Sequence, residues 1–193
     1  MEIKKFVSVL FLLLLSRSAL AASLFLEGGL HFGGDTIATL VFVGGETETI
    51  KAGELLSASI GLIGDVSDDL EARASIGIKM DIVFAQNGDA DFTRLPLEFM
   101  LFNKGESVSF GLGLSYHLGP KFSASGTFAG GNTYINFEDA LGVVAEVDYM
   151  LGEERKGYLG IKATFIDYET ENIGFGTATI SGNSVGVVIG VRF

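Results

Sequence analysis

Two histidines, His31 and His117, are the residues best suited to moving a proton. Ser115 lies two positions before His117, and Glu27 lies four before His31. A serine, a histidine and an acid form a nucleophilic set when they meet in space. Spacings of two and four put each group on one face of a β-strand, because successive side chains alternate sides. A larger set of charges follows the same parity. Glu27, Glu71, Asp81, Glu98, Glu146 and Asp148 oppose Arg73, Lys79, Arg94, Lys162 and Arg192 on positions that alternate with apolar ones. Buried charges require partners, and six acids against five bases nearly allow it. The expectation is an interior polar network of Glu27, Arg73, Lys79, Asp81, Arg94, Glu98, Glu146, Asp148, Lys162 and Arg192 that fixes strand register. The histidines then read as polar members of that network rather than as an active site. Inward glycines such as Gly29, Gly77, Gly111 and Gly186 leave room for the alternative, a narrow polar channel. There is no cysteine, and two distant histidines give no metal-ligand spacing. The chain reads as a non-enzyme with no metal and no cofactor.

The elements that must hold these residues are strands. The clearest runs from Leu70 to Phe84. Leu70, Ala72, Ala74, Ile76, Ile78, Met80 and Ile82 share one face, and Glu71, Arg73, Ser75, Gly77, Lys79 and Asp81 share the other. A helix would spread those charges all round its circumference. The pattern recurs over 23–33, 54–64, 92–103, 107–118, 139–151, 157–169 and 184–193. Pro96 cannot donate to a ladder, and its place near the start of the fourth strand predicts a position at the outer rim. Connections alternate long, short, long, short, long, short, long. Residues 35–53 read as a protruding hairpin turning at Gly44-Gly45, a two-residue hairpin signal. That turn sets Asp35-Thr36 near Gly53-Glu54. Its returning arm, from Glu46 to Thr49, is polar on both faces.

Residues 1–21 read as a secretory signal peptide. Lys4 and Lys5 precede an apolar run, and Ala19-Leu20-Ala21 is a small-x-small cleavage pattern. The run is too short for a membrane anchor, which needs roughly 20 apolar residues. Without those residues, the chain's 13 basic and 24 acidic residues become 10 and 23, a net charge of −13. That balance disfavours nucleic acid, whose phosphates attract Lys and Arg. Hydrophobic residues make up 48% of the chain, scattered one in two rather than collected into helix-length runs. Transmembrane β-barrels have this signature.

Residues 22–193 therefore read as one domain: all-β, an eight-stranded antiparallel up-and-down transmembrane β-barrel. The closing stretch carries Val185, Val187, Ile189, Val191 and Phe193 on one face and ends on an aromatic residue. It resembles the last strand of bacterial outer-membrane barrels, and the resemblance implies that Phe193 is an assembly signal. The whole resembles the small OmpA/OmpX/OmpW-like barrels. His31-Phe32-Gly33-Gly34-Asp35-Thr36, Leu114-Ser115-Tyr116-His117-Leu118, Ala140-Leu141-Gly142 and Gly182-Asn183-Ser184-Val185-Gly186 are similar to segments of an uncharacterised proteobacterial outer-membrane β-barrel family. The resemblance implies the cell outer membrane, with both termini periplasmic and the long loops extracellular. It implies lipid and lipopolysaccharide as surroundings, the barrel-assembly machinery as a partner during biogenesis, and a monomer. It names no activity. The expected role is structural or surface-interacting, with a narrow channel or solute-uptake barrel as the alternative and a lipid-modifying enzyme behind both.

Overall fold

A computed structural model describes residues 22–41, 45, 47–85, 88–126, 131–171 and 177–193. The signal-peptide expectation falls on residues outside this set. Eight strands close into an antiparallel barrel: β1 (Ser23–Gly33), β4 (Leu55–Asp65), β5 (Leu70–Ala85), β6 (Gly88–Lys104), β7 (Val108–Ala124), β9 (Ala140–Leu151), β10 (Gly157–Phe165) and β13 (Ser184–Arg192). Each pairs with its neighbours in the chain, and β13 returns to β1. The seam runs from Phe25 opposite Arg192 to Gly33 opposite Ser184. Every strand thus has a partner on both sides, which membrane-spanning backbone requires. Five shorter strands extend the barrel at one end: β2 (Thr36–Val41), β3 (Thr47–Lys51), β8 (Thr133–Asn136), β11 (Asp167–Glu169) and β12 (Thr179–Ser181).

The period-2 pattern sets the two faces. Leu30, Phe32, Ile76, Leu112, Ile161, Val187 and Ile189 are exposed on the outside. Charged residues at intervening positions, such as Arg73, Glu146, Asp148 and Lys162, are buried inside.

Toward the extended end both faces invert. On β6 the outward residues Leu95, Leu97, Phe99 and Leu101 give way to Asp89, Asp91 and Thr93. On the same strand the inward face changes from Arg94 and Glu98 to Ala90 and Phe92. After β10, outward Phe165 is followed by Asp167 and Glu169, and inward Thr164 by Ile166 and Tyr168. A strand leaving lipid for water behaves in this way, since its outer face then meets water and its inner face needs an ordinary apolar core. That core forms a cap of Leu40, Ile50, Ala52, Ala90, Phe92, Phe122, Ala124, Phe137, Ala140, Ile166 and Tyr168. Phe92 meets Phe137 and Tyr168 edge-on, with centroids 5.5 and 5.6 Å apart, a favoured aromatic geometry.

Several expectations change. Pro96 is not at the rim. β6 begins at Gly88, so Pro96 stands at mid-strand opposite His117. The β5–β6 ladder passes from Ile76–Leu97 to Lys79–Arg94 without pairing Leu95 or Pro96, consistent with the missing N–H. The segment expected as a loop after Leu118 continues as β7, with one extra residue opposite β6 between Leu118 and Lys121. Gly119 there has φ +52°, a conformation glycine adopts freely. In the 35–53 hairpin, Thr36 lies opposite Lys51, and Ala52 N–H donates to Asp35 O at 2.9 Å. The pairing with Gly53-Glu54 is therefore displaced toward the tip. Of the expected turn, Gly44 lies outside the described residues. Leu40, Ile50 and Ala52 of the hairpin pack into the cap, and Lys51 N–H donates to Asp81 Oδ2 at 2.8 Å.

The outward face gives a direct check. Val187 is outward near the middle of β13. Val187→Arg is expected to cost about 2–4 kcal/mol of unfolding free energy in lipid vesicles, the range for a basic residue near the bilayer midplane. Reversible denaturant unfolding measures it. A cost within error of zero contradicts a lipid-facing β13.

Candidate functional site

The interior of the barrel is the candidate site. Arg73, on β5, is the centre of its lower half. Its Nε donates to Glu71 at 2.8 Å, and one terminal nitrogen reaches Asp148 at 2.6 Å and Glu146 at 3.4 Å. The guanidinium lies 3.5 Å from the Phe102 ring centroid and 4.9 Å from that of Tyr158, close enough for cation–π attraction. Arg192 donates to the second oxygen of Glu71 at 2.7 Å. Lys162, on β10, bonds Glu27, reaches Glu98 at 3.1 Å and stands 2.9 Å from Glu146. Tyr158 donates its hydroxyl to Glu27 at 2.8 Å. Glu146 joins the Arg73 and Lys162 groups into one network.

Of the ten residues expected inside, seven belong to this network: Glu27, Arg73, Glu98, Glu146, Asp148, Lys162 and Arg192. The other three stand apart, nearer the cap. Asp81 accepts the Lys51 amide. Arg94 donates to the carbonyl oxygens of Glu54 at 3.0 Å and Phe92 at 3.4 Å. Lys79 donates to Ser184 Oγ at 2.7 Å. Phe193 is exposed at the opposite end, and its N–H donates to Leu24 O at 2.9 Å. Tyr158 was missed by the sequence reading. It shares parity with Lys162 on β10, but it lies beside the expected turn.

Four of the inward glycines lie under neighbouring rings. Gly190 lies directly opposite Tyr158, Gly111 opposite Phe102, Gly61 opposite Phe25 and Gly186 opposite His31. In each case a Cβ on the glycine would collide with the facing ring. These are cross-strand pairs in which a bulky ring lies over a residue without a side chain. The remaining space includes one cavity of about 20 Å³ and one of about 10 Å³. Each is near the size of a single water site.

The histidines fit the same scheme. His117 Nδ1 is 2.6 Å from the Tyr168 hydroxyl, and Nε2 is 3.0 Å from Ser115 Oγ. Ser115 in turn donates to Glu98 at 3.1 Å. Its hydroxyl has one hydrogen, so Nε2 must donate to it and Nδ1 must accept from Tyr168. Tyr168 lies beyond the apolar belt, and burial pushes its phenol up to about 12, so it keeps the proton it donates. The chain of donors runs from tyrosine to carboxylate. A general base needs the reverse, with histidine accepting from serine. His31 Nε2 is 2.8 Å from Ser57 Oγ. Among the described residues, no cluster of three or more His, Cys, Asp or Glu could hold a metal ion.

Comparison with known proteins places the fold. No family model matches the chain, and no curated protein matches it. Among solved structures it is similar to Ail, the attachment invasion locus protein of Yersinia pestis, crystallised with the heparin analogue sucrose octasulfate. The TM-score is 0.56 at 11% identity, over 89% of this chain and 97% of that one. It is also similar to Neisserial surface protein A, with TM-score 0.51 at 13% identity over 89% and 97%. The shared property is the fold, that of the small eight-stranded outer-membrane barrels.

The network predicts a contrast between two basic residues. Arg73→Met leaves Asp148 without a cation and takes one of two cationic partners from each of Glu71 and Glu146, and is expected to lower stability in lipid vesicles by about 3–5 kcal/mol. Lys104→Met removes only the surface pair with Asp65 and is expected to change it by less than about 1 kcal/mol. Equal effects in denaturant unfolding contradict a network centred on Arg73.

Proposed function

We propose that this protein is an integral outer-membrane barrel with a plugged polar interior and a structural or surface-interaction role. The observation that supports the reading is the packing of side chains across the lumen. Arg73, Lys162 and their carboxylate partners cross it from wall to wall, rings lie over Gly61, Gly111, Gly186 and Gly190, and an apolar cap lies above. The likeness to Ail and to Neisserial surface protein A supports the membrane setting. So does an outer face that is apolar around the barrel and turns polar only at the extended end.

In this reading the short turns at 66–69, 105–107 and 152–156 and both termini lie on the periplasmic side. The β2–β3 and β11–β12 hairpins and β8 lie outside the cell. Residues 1–21 direct export, and Phe193 is the residue read by the assembly machinery. The barrel is a monomer surrounded by lipid and lipopolysaccharide. The hairpin over 35–53 and its neighbours present the contact surface. Ail was crystallised with a sulfated sugar, and the charge of this chain argues against such a ligand here. Glu48, Asp89, Glu138, Glu169 and Glu171 are exposed around the outer end, so a contacted partner would be neutral or basic at its surface. Catalysis is disfavoured by the direction of the Ser115–His117 hydrogen bond and by the burial of both residues.

Planar-bilayer recording separates this proposal from the channel alternative. The refolded full chain is expected to insert without stepwise conductance in 1 M KCl. Reproducible unitary openings overturn the plugged-barrel reading.

A further inference from the structure

The lumen's charges are unevenly distributed along it. Five of its acids, Glu27, Glu71, Glu98, Glu146 and Asp148, gather around Arg73, Lys162 and Arg192. Nearer the cap, the acid on the same inner face as Lys79 and Arg94 is Asp81, which already accepts the Lys51 amide. Lys79 is only 4% exposed. Among the described residues no carboxylate comes within ion-pair distance of its Nζ, and its one hydrogen bond goes to Ser184 Oγ. An ammonium has three donors, so two remain. Among the described residues Arg94 is likewise buried without an ion pair, and its Nε has no hydrogen-bond partner. Lys79 borders the cavity of about 20 Å³, together with the hydroxyl residues Ser57, Ser59, Ser75 and Thr164. Glu27 and Glu98 form part of its wall, but both are engaged by Lys162.

We infer that this cavity is a binding site for one small monovalent anion of halide size, held by the Lys79 ammonium and the serine and threonine hydroxyls around it. A buried cation with unused donors beside a polar cavity has this requirement, since an uncompensated charge in the interior is strongly unfavourable. A cavity of about 20 Å³ has room for a body of at least one water's size, which admits chloride or bromide. The Arg94 guanidinium strengthens the local positive field. Anion binding here does not require a conducting lumen, so it stands or falls apart from the plugged-barrel reading.

The test uses the full chain refolded in chloride-free medium, with sodium gluconate setting the ionic strength. Replacing gluconate by chloride or bromide is expected to raise the thermal midpoint saturably, as mass action requires of a ligand bound only by the folded state. Lys79→Met is expected to lose that response, and Lys104→Met to keep it. If Lys79→Met does not fold, wild-type crystals grown in bromide decide the matter, with an anomalous peak expected beside Lys79 Nζ. The same midpoint in halide and gluconate, a halide response kept by Lys79→Met, or bromide crystals without that peak overturn the inference.

Discussion

The seam between β1 and β13 is the contact on which the rest of the structure depends. Nine consecutive residue pairs, from Phe25–Arg192 to Gly33–Ser184, join the two ends of the chain. Without them, two strands would expose rows of unpaired N–H and C=O groups, and hydrocarbon cannot satisfy these. Closure also creates an inside. Once it exists, every second residue of eight strands must find company in a narrow lumen, and the selection of charges, rings and glycines follows from that.

The interior meets this demand by two devices. One is ionic: Arg73 and Lys162 each collect several carboxylates from different strands, so that Glu146 belongs to both groups. Such pairs cost desolvation and give register in return, because a strand slipped by one residue would turn its charges into lipid. The other is steric. Tyr158 over Gly190 and Phe102 over Gly111 place the largest rings where the facing strand has no side chain. An eight-stranded barrel is just wide enough for its side chains to fill, and setting a ring over a glycine lets large side chains fit in that width.

Much of the architecture was legible because its signal is local. Outward Leu70 to Ile82 and inward Glu71 to Asp81 mark a two-faced strand by themselves. The membrane boundary was less legible, because beyond it the rule reverses. Ala90 and Phe92 point inward and Asp89 and Asp91 outward, so a reading that expected apolar residues outside began β6 too late and ended β7 too early. The inversion at Thr93–Leu95 was present in the sequence and would have located both the boundary and the cap. The pairings inside the lumen were legible only in part. Parity puts Arg73 and Asp148 on the inner face, but they are far apart in the chain, and only the closed register brings them to 2.6 Å. Parity also could not separate Lys79, which has no carboxylate partner among the described residues, from Lys162, which has three.

Amide hydrogen–deuterium exchange of the refolded full chain in lipid nanodiscs tests closure most directly. The account predicts that the β1 and β13 amides exchange as slowly as those of the β4–β5 pair, which sits well within the sheet. Rapid exchange confined to β1 and β13, with β4–β5 protected, would mean an open sheet with two free edges and would contradict it.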